Sequence, residues 1–249
     1  KDVKLPEERQ TSAETLESDT LTVLSDLNHA SQKGLQTIFD CSVGRSTVNH
    51  PLGGRYQLTP TEASVQKWPV QHGVTHTASV IAQGFNPYVA EWSPYHGAAY
   101  AVIEATARLV AAGANWSKAR FSYQEYFERM DKQAERFGQP VAALLGSIEA
   151  QIQLGLPSIG GKDSMSGTFE ELTVPPTLVA FGVTTADSRK VLSPEFKAVG
   201  ENIYYIPGQA LSAEIDFDLI KKNFTQFEAI QADHKVTSAS AVKYGGVVE

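Results

Sequence analysis

The chain has 249 residues, of which 42% are hydrophobic and 20% are charged, and its formal net charge is -7. This size and composition predict a globular protein with a substantial core, arranged as one large domain or two smaller ones. The acidic charge and the lack of a Lys/Arg cluster argue against a nucleic-acid partner. No apolar run reaches the roughly 18 residues of a membrane span, and the first residues show no signal-peptide pattern. Because Cys41 is the only cysteine, an internal disulfide is excluded, and we expect a cytoplasmic protein without a membrane partner.

The first 85 residues predict a helix followed by short strands. Residues 1–40 begin as a polar lead-in and continue into a helix over Thr15–Phe39, with a break expected near Gly34. A short strand is predicted over Cys41–Val48, and alternating apolar residues predict strands between Trp68 and Phe85.

The clearest predicted helix covers Ala98–Gly113, with Glu104 and Arg108 four residues apart on one face. Most of the other residues of this helix are apolar, which indicates that it is buried on several sides. A carboxylate in such a helix needs a partner, either Arg108 or a bound cation. Glu104 is therefore a candidate metal ligand, and the alternative is an ordinary surface ion pair with Arg108.

The remaining elements are predicted from apolar runs and aromatic content. Asn115–Glu128 is rich in aromatic residues, which indicates either a loop over a ligand or a part of the core. Val141–Leu154 predicts a second apolar helix, and Leu178–Thr184 predicts a central strand. Asn202–Pro207 predicts a further strand, and Ala213–Ala232 predicts a partly helical segment.

A glycine-rich segment after the second apolar helix carries the strongest chemical signal. Leu154–Ile159 predicts a helix end running into a buried strand, and the pair Gly160-Gly161 predicts a sharp turn that can approach a ligand closely. Four polar residues follow: Lys162, Asp163, Ser164 and Ser166. A cation, a carboxylate, two hydroxyls and backbone N–H groups suit phosphate with Mg²⁺. The segment lacks the spacing of a Walker A loop, and the alternative is a glycine turn before a capped helix.

A longer string that includes this segment resembles a loop of large-type phosphoribosylformylglycinamidine synthase, an enzyme of purine biosynthesis. It runs Gly155-Leu-Pro-Ser-Ile-Gly-Gly-Lys-Asp-Ser-Met-Ser-Gly167. The resemblance continues through Phe181–Val191 and Ser193–Lys197, includes the helix with Glu104, and spans roughly residues 40 to 249.

The resemblance implies a mixed α/β (α+β) fold of the aminoimidazole ribonucleotide synthetase superfamily. Residues 41–199 would form its N-terminal-type domain, a sheet with packed helices that pairs with a related sheet into a barrel. Residues 200–249 would begin a C-terminal-type α/β domain, after a linker over Asp187–Gly200. The chain would then be a piece of the second synthetase half of a longer enzyme.

The resemblance also implies a reaction and its participants. The family uses ATP and Mg²⁺ to convert formylglycinamide ribonucleotide and glutamine-derived ammonia into formylglycinamidine ribonucleotide, ADP and phosphate. The first synthetase half and the glutaminase would be partners within the same enzyme, and we expect little activity from this chain alone. The implied catalytic residues are Lys162, Asp163 and Ser164. The implied phosphate-binding residues are Gly160, Gly161 and Ser166, and the implied metal ligands are Glu104 and Asp163.

The family has an auxiliary nucleotide–magnesium site in this half, and the chain departs from it. Glu104 matches the helix carboxylate of that site, but Gln83 stands where an aspartate is expected and Arg108 where an asparagine is expected. Glutamine is a weaker Mg²⁺ ligand than a carboxylate, and arginine is no ligand. We therefore expect that this site has lost its metal or is filled differently.

Two other functions fit the same sequence. One is a non-catalytic half that stabilises a partner domain by pairing sheets. The other is a different enzyme of the superfamily, such as aminoimidazole ribonucleotide synthetase or selenophosphate synthetase.

Overall fold

A computed structural model of the chain describes residues 13–39, 45–233 and 236–247. Its helices are α1 (Ala13–Ser25), α2 (Lys33–Gln36), α3 (Pro87–Trp92), α4 (Pro94–Ala111), α5 (Ala134–Leu154) and α6 (Phe217–Ala232). Its strands are β1 (Thr47–Asn49), β2 (Leu52–Gly53), β3 (Thr59–Pro60), β4 (Ser64–Lys67), β5 (Thr77–Gly84), β6 (Arg120–Tyr126), β7 (Ser158–Lys162), β8 (Thr168–Phe169), β9 (Leu172–Thr173) and β10 (Thr177–Asp187). Within these ranges no helix is both long and apolar enough to cross a lipid bilayer.

Six strands form one open sheet in the order β1-β4-β5-β10-β6-β7. Neighbouring strands are antiparallel except β6 and β7, which run parallel. The pairs β2–β3 and β8–β9 form separate two-stranded ladders. The predicted mixed α/β fold, a sheet with packed helices, is confirmed.

Strand β10 lies between β5 and β6, which confirms the central strand predicted over Leu178–Thr184. Its side chains alternate, with Leu178, Ala180 and Thr184 buried against the helices. Alternation of this kind is expected where only one face of an antiparallel sheet is covered.

Helices α4 and α5 cover one face of the sheet and pack against each other. Both predicted helices are confirmed, and each begins earlier than expected, at Pro94 and Ala134. The largest fully buried hydrophobic side chains between these helices and the sheet are Val65, Val80, Val102, Leu109, Phe121, Phe127 and Leu156. Each large apolar side chain buried in this way contributes roughly 1.5–3 kcal/mol.

The opposite face of the sheet is uncovered in the described part of the chain. Ile81 on β5, Tyr126 on β6 and Val183 on β10 are 42%, 43% and 38% exposed on it. This face would meet a second sheet if the chain forms the expected barrel, and that pairing stays a prediction.

Of the two alternatives predicted for the aromatic segment Asn115–Glu128, the structure confirms the core: the segment contains strand β6, and Phe121, Tyr123 and Phe127 are core residues. One strand prediction was wrong, because pairing decides whether a segment becomes a strand. Asn202–Pro207 is not a strand, because no described segment pairs with it.

The N-terminal predictions were correct only in part. The helix expected over Thr15–Phe39 is divided into α1, a 3₁₀ turn at Leu27–His29 and α2, so the interruption falls before Gly34. The strand expected over Cys41–Val48 is β1, which begins at Thr47, and residues 41–44 lie outside the described ranges.

Helix α6 confirms the partly helical segment predicted over Ala213–Ala232. It contacts α4 and α5, and its residues Phe217, Ile220 and Phe224 belong to the same hydrophobic core as the sheet. The division at residues 41–199 and 200–249 stays a prediction.

Gly84 at the end of β5 allows α4 to approach the sheet closely, because it has no side chain at the point of contact. An added Cβ would overlap the Ala101 carbonyl oxygen and lie 2.6 Å from the Ala105 nitrogen, both on α4. We predict that Gly84→Ala lowers the free energy of unfolding by about 1–3 kcal/mol, because two backbones would have to separate. Gly138→Ala is the control: its Cβ meets no atom within 4 Å, so removing a helix glycine should stabilise the protein slightly. Urea unfolding measures both, and equal stability of the two variants would contradict the prediction.

Candidate functional site

The pair Gly160-Gly161 does not form the predicted turn. Both residues lie in the edge strand β7, where Gly160 pairs with Ser122 and Gly161 with Tyr123 of β6. Gly160 has a φ of 142°, which favours glycine, and a Cβ on Gly161 would lie 2.8 Å from the Tyr123 carbonyl oxygen. The strand is also exposed rather than buried, because it is the last strand on its side of the sheet. The glycines therefore allow β7 to approach β6, and their role in phosphate binding stays a prediction.

The residues after β7 are tied to the end of β6 by backbone hydrogen bonds. The Ser164 N–H donates to the Glu125 carbonyl at 3.0 Å, and the Phe127 N–H donates to the Ser164 carbonyl at 2.9 Å. The Gly167 N–H donates to the Phe127 carbonyl at 2.9 Å. The hydroxyl oxygens of Ser164 and Ser166 are 3.0 Å apart, so the two predicted phosphate-contacting hydroxyls are brought together.

Lys162 lies on the uncovered face of the sheet. Its ammonium nitrogen is 5.5 Å from the centre of the Tyr126 ring, and its carbonyl accepts a hydrogen bond of 3.2 Å from the Gln124 side chain. A cation over an aromatic ring at this distance is weakly held when exposed. The ammonium group is thus accessible to an anion.

Asp163 lies beside Glu125, a residue that the sequence prediction missed. Glu125 is only 5% exposed, and no described residue gives its side chain a hydrogen bond or an ion pair. Burial and, second, the negative charge of Asp163 raise the pKa of the Glu125 carboxyl. The alternation of β6 could have indicated this residue, since Phe121, Tyr123 and Glu125 all occupy its buried face.

Glu104 and Arg108 belong to a second cluster, which is centred on Glu62. Glu62 is 4% exposed, and its Oε1 accepts hydrogen bonds from Ser240 Oγ at 2.7 Å and from Lys243 Nζ at 3.0 Å. Its Oε2 lies 3.3 Å from Arg108 Nε without hydrogen-bond geometry, because that nitrogen donates to the Glu62 carbonyl at 3.1 Å. The guanidinium is also 4.0 Å from the Glu104 carboxylate. Sequence spacing could not reveal Glu62 or Lys243, which are 181 positions apart.

Gln83 joins this cluster only through its backbone. Its carbonyl accepts a hydrogen bond of 3.1 Å from Arg108 Nη1, whereas its side chain is exposed on the uncovered face. The reason is strand alternation, since Ala82 and Gly84 face α4. The structure therefore brings Glu104 and Arg108 together and leaves the Gln83 side chain apart from them.

The Glu62 cluster does not fit a magnesium ion. The guanidinium of Arg108 contacts both carboxylates, and arginine offers no atom that can coordinate a metal. Burial raises the pKa of Glu104 to about 7, although the charges of Arg108 and Lys243 lower it. The chain itself thus supplies the cations of this cluster.

Neither of two surface hollows of the described chain contains a predicted site residue. One, of about 430 Å³, is lined by α1, and the other, of about 400 Å³, lies between Tyr95, Glu149 and residues 213–218. The predicted phosphate-binding residues lie on or just after the edge strand β7, an open edge to which a further unit could add walls.

The described chain has a mixed α/β fold, with one open six-stranded sheet and helices on one of its faces. The structure is similar to PurL of Thermotoga maritima. The TM-score to its complex with AMPPCP is 0.54, at 19% identity, covering 69% of this chain and 27% of that chain. The TM-score to its complex with FGAR is 0.54, at 17% identity, covering 77% and 27%. PurLQS from the same organism gives a TM-score of 0.54 at 19% identity, covering 67% and 25%.

This similarity is one of fold, and the matched part of this chain corresponds to about a quarter of each of those solved chains. Neither a protein-family model nor a curated protein sequence matches it.

The raised pKa of Glu104 predicts a pH-dependent stability. A carboxyl with a pKa of about 7 when folded and 4.5 as its ordinary value binds its proton more tightly in the folded state. The folded state is therefore penalised increasingly as pH rises from about 4.5 to 7, by about 3 to 3.5 kcal/mol in total.

We expect Glu104→Gln to remove this penalty: relative to the natural chain it gains about 2–3 kcal/mol of unfolding free energy between pH 5 and pH 8. Urea unfolding with EDTA present measures the gain, and exposed Glu171→Gln is the control. A difference between Glu104→Gln and the natural chain that stays constant with pH would show that burial of this carboxyl has no such effect.

Proposed function

We propose that this chain is part of an ATP-dependent ligase of purine biosynthesis with glutamine as the amido donor. The reaction converts formylglycinamide ribonucleotide, ATP and glutamine-derived ammonia to formylglycinamidine ribonucleotide, ADP and phosphate. The observation that carries the proposal is the Gly155–Gly167 string, which the structure holds along the free edge of a sheet of the matching fold. PurL structures of that fold are complexed with ATP, ADP and FGAR, which supports the same ligands here.

The residues at the sheet edge suit a phosphoryl group. Lys162 offers an accessible positive charge, and Ser164 and Ser166 offer adjacent hydroxyls. In the proposed reaction the γ-phosphoryl group of ATP passes to the amide oxygen of the substrate, and ammonia then displaces phosphate from that carbon. Charge on the phosphoryl oxygens is stabilised by Lys162 and by backbone donors of the segment.

Magnesium fits this edge better than it fits the Glu62 cluster. Asp163 would hold the ion beside Glu125, a buried carboxylate to which no described residue brings a positive charge. When bound, Mg²⁺ neutralises part of the charge of the nucleotide phosphates. Glu104 was the other predicted metal ligand, and its contact with Arg108 favours a structural role.

The uncovered face of the sheet supports the proposed partner. Its exposed apolar residues Ile81, Tyr126 and Val183 would be buried by a related sheet from the first synthetase half. That half and the glutaminase would complete the site and supply ammonia.

Lys162→Ala tests the phosphate role. We predict about 10- to 100-fold weaker binding of AMPPCP, because a charge-assisted hydrogen bond contributes roughly 1.5–3 kcal/mol. Isothermal titration calorimetry measures this, and Lys132→Ala, which removes an exposed lysine of the neighbouring segment, should bind as the natural chain does. Equal affinity of the two variants would refute the assignment of Lys162.

A specific observation favours a scaffolding role for the Glu62 cluster: two cations of the chain already neutralise its carboxylates. We predict that crystals soaked with Mg·ADP show no magnesium ion beside Glu104. A normally coordinated ion at that carboxylate, with Arg108 displaced, would instead establish an auxiliary nucleotide site.

A further inference from the structure

Helix α5 carries apolar side chains on two opposite faces. Its buried face packs with mostly small residues: Pro140, Ala143, Gly146, Ser147, Ala150 and Leu154. Its other face carries six large apolar residues that are 41–69% exposed and are called the α5 stripe: Phe137, Val141, Leu144, Leu145, Ile148 and Ile152. A surface helix normally presents polar residues opposite its buried face. The α5 stripe is therefore the kind of surface that a partner covers.

The stripe has the geometry of a helix-packing seam. Its members fall within an arc of about 100° around the helix, and it is about 22 Å long from Phe137 to Ile152. Along it, residues recur every three or four positions, which is the spacing by which two helices pack lengthwise. None of the six side chains carries a charge. Two copies of the stripe can therefore meet without bringing like charges together.

The stripe is also symmetric about its own midpoint, which lies between Leu144 and Leu145. If two α5 helices pack antiparallel with their midpoints together, every member of one stripe lies level with a member of the other. The level pairs are Leu144 with Leu145, Val141 with Ile148, and Phe137 with Ile152. A two-fold interface has this property, because residue i contacts residue j and residue j contacts residue i.

Electrostatics favours the antiparallel direction over the parallel one. The macrodipoles of two neighbouring helices oppose each other when the helices are antiparallel, which is favourable. In a parallel pair, Glu149 beside the stripe would lie level with its own copy, and like charges would face each other. In the antiparallel pair, Glu149 lies level with Pro140 of the second copy.

We propose that the α5 stripe docks a second copy of this chain, with the two α5 helices packed antiparallel about a two-fold axis. With roughly 150–200 Å² of surface for each large apolar side chain, the stripe exposes on the order of 500 Å². Two stripes in contact would bury about 1,000 Å² in total, which is the size at which an interface becomes specific. The stripe lies on the helix side of the sheet, so the uncovered face stays free for the sheet pairing of the proposed function.

Sedimentation velocity of the full chain tests the dimer. An interface of this size gives a reversible dimer, so we expect dimers at about 100 µM chain. Salt at about 0.15 M screens the net charge of -7 on each copy. Leu145→Glu should weaken dimerisation at least tenfold, because it places charges at the centre of the apolar contact. Ile203→Glu, the same kind of change at an exposed residue outside the stripe, should dimerise as the natural chain does. A monomeric natural chain, or equal dimerisation of the two variants, would overturn the proposal.

Disulfide trapping tests the orientation with variants that keep the stripe apolar elsewhere. Because Cys41 is the only cysteine, a Cys41→Ser background leaves the introduced thiol alone. Leu144→Cys lies beside the two-fold axis and should form a disulfide-linked dimer on mild oxidation, seen on a non-reducing gel. Phe137→Cys should not, because its copy would lie about 22 Å away along the antiparallel helices. The antiparallel dimer is refuted if Phe137→Cys links to itself as readily as Leu144→Cys, or if Leu144→Cys does not link.

A third variant separates this interface from the sheet pairing of the proposed function. Val183→Glu places a charge on the uncovered face of the sheet. It should leave the α5 dimer unchanged. If Val183→Glu is monomeric while Leu145→Glu still dimerises, the copies pair through their sheets and the α5 interface is wrong.

Discussion

The close approach of α4 to strand β5 is the contact on which the charged clusters depend. Gly84 presents only hydrogen atoms to the Ala101 carbonyl, so the helix backbone can lie directly on the sheet. This contact carries Glu104 to the end of β5 and brings Arg108 within reach of Glu62. On the other side of β10, the same helix layer buries the aromatic residues of β6. The sheet therefore carries one group of charged residues beside β5, around Glu62, and another at β6 and β7, where Glu125 and Asp163 lie.

Two pairs of carboxylates in this fold differ in whether the described chain supplies a positive charge beside them. The carboxylates of Glu62 and Glu104 are neutralised by cations of the same chain. Arg108 forms an ion pair with both of them, and Lys243 forms one with Glu62. Such a cluster is neutral without any ligand, and it fixes the segments that carry it. Glu125 and its acidic neighbour Asp163 have no such compensation in the described chain, and the negative charge of Asp163 adds to burial in raising the pKa of Glu125.

Local patterns were sufficient for the elements that depend on local periodicity. The apolar runs gave α4, α5 and the central strand β10, and the spacing of Glu104 and Arg108 correctly placed them on one face. Patterns failed where partners are distant in sequence. Gly160-Gly161 resembles a turn until β6 is available to pair with it, and Glu62 is linked to its cations only by the fold. Glu125 was hidden in an aromatic segment whose strand character depends on β10 and β7.

The bond between Glu62 and Lys243 sets how far this polypeptide can be shortened for laboratory work. A version that stops before Ser240 would keep the Glu62 carboxylate buried while removing two of its three polar neighbours. Ser240 and Lys243 are therefore part of the electrostatic environment of Glu62, which lies 178 and 181 positions upstream of them. A version made for expression should therefore extend past Lys243 and should not stop at the end of α6.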